Sequence, residues 1–241
     1  MFFLEEWIQH YKLLGINQIV FINNGIRPTH KNIIQDGEQW YWGKKPYLDY
    51  NWEYSDQEIE KLYLDIVEKY GVISIDQLNA YSNSNYLGEV ISELNLDNDY
   101  WLFIDPDEYL LPRKHNNLVE FLADTRFSGY DAFVFNQRVF DIRDKKKKVA
   151  DIKNYSRELS DYKKGMVKTL VKNDRIEYDI HESKPSSGKI IQVPNEWMIY
   201  HHYRGPFSKG DTEEFQKRRS RFNKQDDSML KFYERNVGLR K

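Results

Sequence analysis

The apolar pattern of the first half of the chain changes period repeatedly, and this alternation restricts the fold more than any other feature. Residues 2–14 place Phe3, Trp7, Ile8, Tyr11 and Leu14 at helical spacing, and Gly15 is a natural stop. Residues 16–22 (INQIVFI) form a short run rich in Ile and Val, closed by Asn23-Asn24-Gly25, as expected of a buried strand ending in a turn. Residues 55–70 predict a second helix, with Ser55 and Glu58 at capping-box spacing and Gly71 closing it. Residues 72–75 predict a second strand, 83–96 a third helix, 100–104 a third strand, 116–124 a short helix and 132–135 a fourth strand. Helix and strand in alternation predict an α/β fold, with a mostly parallel central sheet and helices on both faces.

The second half is less regular. Residues 166–172, 189–193 and 197–203 read as strands, and 211–234 as a charged helix. Residues 144–148 (DKKKK) read as a solvated basic loop. Residues 36–54 hold seven aromatics without period, which predicts either a loop folding its rings onto the domain or a flap over an acceptor. With 241 residues the chain is read as one domain, 1–241. Within it, residues 1–135 form one half and 136–241 the other.

Composition removes several function classes. There is no cysteine, so disulfides, thiolate metal sites and cysteine nucleophiles are excluded. The net charge of −2 argues neither for nor against nucleic acid, so a local patch would have to carry that function, and the runs Lys145–Lys148 and Lys217–Arg221 lie far apart with no recognised fold around them. No stretch approaches the roughly 20 apolar residues that span a bilayer. The opening Met1-Phe2-Phe3-Leu4-Glu5-Glu6 turns acidic too early for a signal peptide. The expected location is therefore cytoplasmic, with any membrane link peripheral. Aromatic residues reach 15%, which fits a Tyr-rich core or ring surfaces for stacking on sugars.

The chemistry concentrates in Tyr100-Trp101-Leu102-Phe103-Ile104-Asp105-Pro106-Asp107-Glu108-Tyr109-Leu110-Leu111-Pro112. A hydrophobic strand delivers two carboxylates one residue apart at its C-terminal end, the edge where open α/β sheets bind ligands. In an extended stretch residues i and i+2 point the same way, so Asp105 and Asp107 are expected to converge on one cation. Carboxylate oxygens suit Mg²⁺ or Mn²⁺, which keep waters and share phosphate oxygens with a substrate. Pro106 stiffens the turn.

The segment WLFIDPDEYLLP resembles the Trp-x-x-x-Ile-Asp-x-Asp-Glu-Phe signature of glycosyltransferase family 2-like and family 92-like proteins. Other pieces follow in that family's order. Leu4-Glu5-Glu6-Trp7-Ile8-Gln9-His10-Tyr11 is similar to its opening helix, and Phe21-Ile22-Asn23-Asn24-Gly25 to its turn. Lys168 with Leu170-Val171 and then His181 is similar to a later stretch, and His202-Tyr203 with Glu214-Phe215 and Lys217 to its ending. The resemblance implies a glycosyltransferase A-type, Rossmann-like fold, a UDP- or GDP-sugar donor, a carbohydrate or glycoconjugate acceptor, and Mn²⁺ or Mg²⁺. On it, residues 1–135 are the nucleotide-sugar half and 136–241 the acceptor half. Asp105, Asp107 and His202 match metal positions, and Asn23, Asn24 and Asp105 donor contacts. Glu182 and Glu108 are the candidate catalytic carboxylates, with Asp179 also considered as the base and Glu108 alternatively capping the turn. Asn23 stands where the family has Asp, and the family's first strand, bearing Lys-Asn-Glu, has no counterpart here.

The implied reaction is an inverting, hexosyltransferase-like sugar transfer. The alternative is an inactive sugar-binding or scaffold module of the same fold. A metal-dependent phosphohydrolase or nuclease needs more clustered acids than Asp105, Asp107 and Glu108.

Overall fold

The computed structural model describes residues 4–23, 56–76, 86–141, 148–152, 154–158, 167–173, 176–177, 183–204 and 224–238. The chain divides into two compact units, one from Asn17–Val90 and the other from Phe2–Ile16 with Ile91–Lys241.

In the first unit, β1 (Val20–Asn23) pairs in parallel with β2 (Ile73–Asp76), with Val20 opposite Ile73. Helix α2 (Asp56–Tyr70) is the connection's described part, and its Tyr63 packs on Phe21 and hydrogen-bonds Ser74 at 2.6 Å. This is the parallel unit with a crossover helix that the alternation predicts. Helix α3 (Tyr86–Leu94) follows, and the division between the units falls within it, after Val90.

The second unit opens with α1 (Leu4–Leu13). Its helix ends in a Schellman arrangement: Ile16 N–H donates to Tyr11 O at 3.0 Å and Gly15 N–H to Lys12 O at 3.2 Å, with Gly15 at φ +89°. Among the described residues, eight strands then form one mixed sheet. They are β3 (Tyr100–Leu102), β4 (Glu108–Pro112), β5 (Ala132–Asp141), β6 (Asn154–Glu158), β7 (Val167–Lys172), β10 (Ile190–Gln192), β11 (Met198–Arg204) and β12 (Lys224–Gln225). The short β8 (Ile176–Glu177) and β9 (Lys184–Pro185) pair apart from it. Helices α4 (Leu118–Ala123) and α5 (Ser228–Gly238) complete the unit.

Strand β5 is central. Its first half pairs with β7 and β10, and its second half with β11 and β6. Residues 135 and 136 both lie inside it.

The α/β class holds. A mostly parallel sheet describes β1–β2 and the pairings of β10 and β11 on β5, while the pairings β3–β7, β4–β11, β5–β6, β5–β7 and β6–β12 are antiparallel. β3 and β4 are separated only by the short segment 103–107, too short for a crossover helix. The sequence also ends the fourth strand too early. Asn136-Gln137-Arg138 breaks the apolar run, yet all three are buried and bonded, so the ladder continues to Asp141. The charged helix expected over 211–234 is a strand at 224–225 and a helix from Ser228, and 205–223 lies outside the described residues. The aromatic segment 36–54 and the basic residues 144–147 lie outside them as well.

Alternate residues of β5 fall on opposite faces of the sheet. Phe133 and Phe135 meet Phe121 of α4 at ring distances of 5.4 and 6.3 Å. On the opposite face Phe140 stacks on Tyr203 at 4.8 Å, Tyr203 meets Tyr109, and Tyr109 meets His10 of α1. Much of the tyrosine content described here is thus core.

Gly15→Ala is expected to cost about 1–2 kcal/mol, because an L side chain resists the left-handed conformation; the added Cβ also falls 2.9 Å from Val119 Cγ2. Urea denaturation checks this, with a lowered midpoint and an unchanged slope.

Candidate functional site

The Asp-Pro-Asp-Glu segment is a turn. Glu108 N–H donates to Asp105 O at 3.0 Å, and the Glu108 carboxylate reaches back to accept from Asp105 N–H at 3.0 Å. Pro106 occupies the second position, which its fixed φ favours. The expectation that Asp105 and Asp107 share one side of an extended segment is therefore corrected, because the turn breaks the two-residue alternation.

Helix α1 holds this turn from behind. The Trp7 indole N–H lies between two carbonyls, 3.0 Å from Asp105 O and 2.9 Å from Glu108 O. Tyr11 donates its hydroxyl to Glu108 O at 3.1 Å and accepts from Leu110 N–H at 3.0 Å. His10 Nε2 lies 2.8 Å from Leu110 O, which can only accept, so this nitrogen carries the proton. His10 Nδ1 then accepts from Tyr233 of α5 at 3.1 Å. Residues 7, 10 and 11 belong to one helix face, which is why a single helix reaches the turn and β4 together. Burial drives the His10 imidazole down from near 6.5 to about 4, partly countered by the Leu110 carbonyl, so it is neutral at neutral pH.

Register gathers the polar groups on the Phe133–Phe135 face of the sheet. Phe135 of β5 stands opposite Lys168 of β7, Val139 opposite His202 of β11, and His202 opposite Glu108 of β4. Gln137 lies between Phe135 and Val139 on that face. Lys168 Nζ contacts Glu108 Oε2 at 2.9 Å and Asp105 Oδ2 at 3.1 Å. His202 Nε2 lies 3.3 Å from Asp107 Oδ2, and its Nδ1 lies 2.7 Å from Gln137 Nε2 and 3.5 Å from Glu108 Oε1. Tyr203 N–H donates to Asp107 O at 2.8 Å, tying the turn to β11.

The cluster runs from core to surface. Side-chain exposure is 1% for Lys168 and 2% for Glu108, but 14% for His202, 28% for Asp107 and 55% for Asp105. Burial pushes the Glu108 carboxyl up to about 7, against the pull of Lys168 and His202. Burial also opposes charge on Lys168, but Asp105 and Glu108 outweigh it and its pKa is raised. Three acids face one ammonium and one imidazole, so the rim favours an added cation.

The structure brings together Asp105, Asp107, Glu108 and His202. Asn23 ends β1 in the other unit, and its side chain, Asn24, Asp179, His181 and Glu182 lie outside the described residues. Sequence reasoning gave Lys168 no role, although a lysine within Val-Lys-Thr-Leu-Val is the signal of a buried charge needing a partner. Gln137 was missed for the reason that cut β5 short. Among the described residues no cluster of three or more His, Asp or Glu is arranged around one point. The available donors are the Asp107 carboxylate and His202 Nε2, 3.3 Å apart. An oxygen and an imidazole suit Mn²⁺, and Mg²⁺ or Mn²⁺ bound with a phosphate substrate takes few protein ligands, so the residues fit such an ion. No protein-family model and no curated protein matches this chain. Among the described residues no helix is long and apolar enough to cross a membrane.

A base whose folded pKa is depressed stabilises above its unfolded pKa and loses that contribution as pH falls. For His10 the window is 6.5 down to about 4, which converts to about 3 kcal/mol. Urea midpoints measured from neutral pH to about pH 4 are expected to fall less steeply in His10→Gln than in the wild type. In Lys168→Met, Glu108 loses its counter-charge and its carboxyl rises further. A raised acid loses stability as pH climbs, so the variant is expected to lose about 3 kcal/mol near pH 8 and less near pH 5. Equal losses at both pH values contradict this account.

Proposed function

We propose that this protein is a metal-dependent glycosyltransferase of the glycosyltransferase A type. It takes a UDP- or GDP-sugar and passes the sugar to a carbohydrate or glycoconjugate hydroxyl. The observation that carries the reading is the acidic rim at a strand end, where Asp107 is paired with His202 and Asp105, half exposed, is paired with Lys168. An acid-rich rim repels a diphosphate unless a divalent cation stands between them, so donor binding should require the ion. When bound, Mn²⁺ or Mg²⁺ supplies neutralisation of the diphosphate leaving group.

The chain's own residues have separable tasks. Asp107 and His202 Nε2 supply the ligands, while Trp7 and Tyr11 fix the turn that carries Asp107. Lys168 holds Asp105 and Glu108 from within. Glu108 titrates near 7, which suits acid–base work, but at 2% exposure it is a positioning residue and not the base for an acceptor hydroxyl. The base is left to a residue such as Glu182.

A second reading, the same fold binding sugar nucleotides without turnover, is favoured by the ion pairs that Lys168 makes with Asp105 and Glu108, which engage two of the three acids. Donor hydrolysis with Mn²⁺ separates the two, with calorimetric heat but no product marking the second. Asp107→Ala is expected to lower Mn²⁺-dependent hydrolysis of the accepted donor by about a hundredfold or more. Hydrolysis indifferent to both this substitution and a chelator would sink the enzyme reading.

A further inference from the structure

We propose that Gln137 decides which ring nitrogen of His202 carries the proton, and so whether His202 offers Asp107 a hydrogen bond or the rim a lone pair. Only the lone-pair half rests on the metal-dependent reading above. Gln137 is buried, on the same sheet face as His202, with its amide nitrogen 2.7 Å from His202 Nδ1. An amide nitrogen only donates, so Nδ1 is the bare nitrogen and Nε2 bears the hydrogen. Nε2 is the atom 3.3 Å from Asp107 Oδ2, which can only accept. The arrangement is self-consistent without a metal: the reverse assignment would point two lone pairs at each other.

A cation on Nε2 needs the opposite tautomer, with the hydrogen on Nδ1. Gln137 meets that need by turning its amide half a revolution about its last torsion, which is soft, so that Oε1 accepts from Nδ1–H. Glu108 Oε1, 3.5 Å from the same nitrogen, favours this second state. A glutamine therefore serves both states, a leucine neither, and a glutamate only the second. Partners behind a ligating imidazole characteristically set its tautomer and are worth about 10–100-fold in metal affinity. Gln137 acts through His202 and is a positioning residue.

The test uses the full chain labelled with ¹⁵N-histidine. Ring-nitrogen shifts of His202, assigned by comparison with His202→Gln, are expected to show the Nε2–H tautomer in the metal-free wild type. Gln137→Leu is expected to give a mixture, and Gln137→Glu the Nδ1–H form or the imidazolium. Mn²⁺ affinity, read from the free-ion paramagnetic resonance signal with UDP or GDP present, is expected to weaken about 10–100-fold in Gln137→Leu. Gln137→Glu should stay within a few-fold of the wild type. If Gln137→Leu folds and changes neither the tautomer nor the affinity, the proposal is overturned. If it does not fold, an unaltered tautomer in Gln137→Glu overturns it instead. A wild type that binds no Mn²⁺ removes the metal reading, and the tautomer shift then decides the proposal alone.

Discussion

An ammonium enclosed within a sheet has to be balanced, and in this protein the balance reaches outward. Burying a lysine charge costs several kcal/mol unless carboxylates meet it closely. Lys168 is met by Glu108 beside it and by Asp105 nearer the surface. Glu108 in turn closes the turn through Asp105 N–H and stands behind His202. The position of the exposed acids thus descends from a charge that no solvent reaches. Had the interior group been apolar, the Asp105 carboxylate would lose that partner, while its backbone would still be held by the turn and by Trp7.

The opposite support is neutral. Trp7, His10 and Tyr11 hold the turn and β4 with hydrogen bonds to backbone and carry no charge at neutral pH, His10 because burial disfavours its cation. A charged group on that side would compete for Asp105 and Glu108 and weaken the field at the rim. One side of the turn therefore supplies geometry and the other supplies potential, and the backbone that carries the acids is fixed without a competing charge.

Local elements were legible in the sequence because apolar periodicity decides them. α1, α2 and β2 lie close to where the pattern puts them, whereas β1 begins only at Val20 and not at Ile16. Sheet direction was less legible. A helix between strands implies a parallel crossover, but pairing is chosen by strands distant in sequence, and β3 and β4 turn out to find antiparallel partners in β7 and β11. At the site, the Asp105–Glu108 segment announced itself, whereas its geometry did not. Spacing alone read it as extended, and the turn hydrogen bond reversed that. Gln137 and Asn136 were hidden because polar residues look like a strand's end until their partners are known. Those partners, His202, Gln192 and Asn195, lie more than 50 residues away.

The pairing of β5 along both edges has a consequence for how this chain can vary. Deleting one residue from its first half would carry the Asn136–Arg138 row into the place of Gln137 and swing the phenylalanines to the other side. Neighbours on either flank leave the strand no room to slip and absorb the change. Length variation among descendants of this sequence should accordingly be tolerated in the connections and purged from β5, and an alignment gap inside it would mark a chain that had surrendered the site.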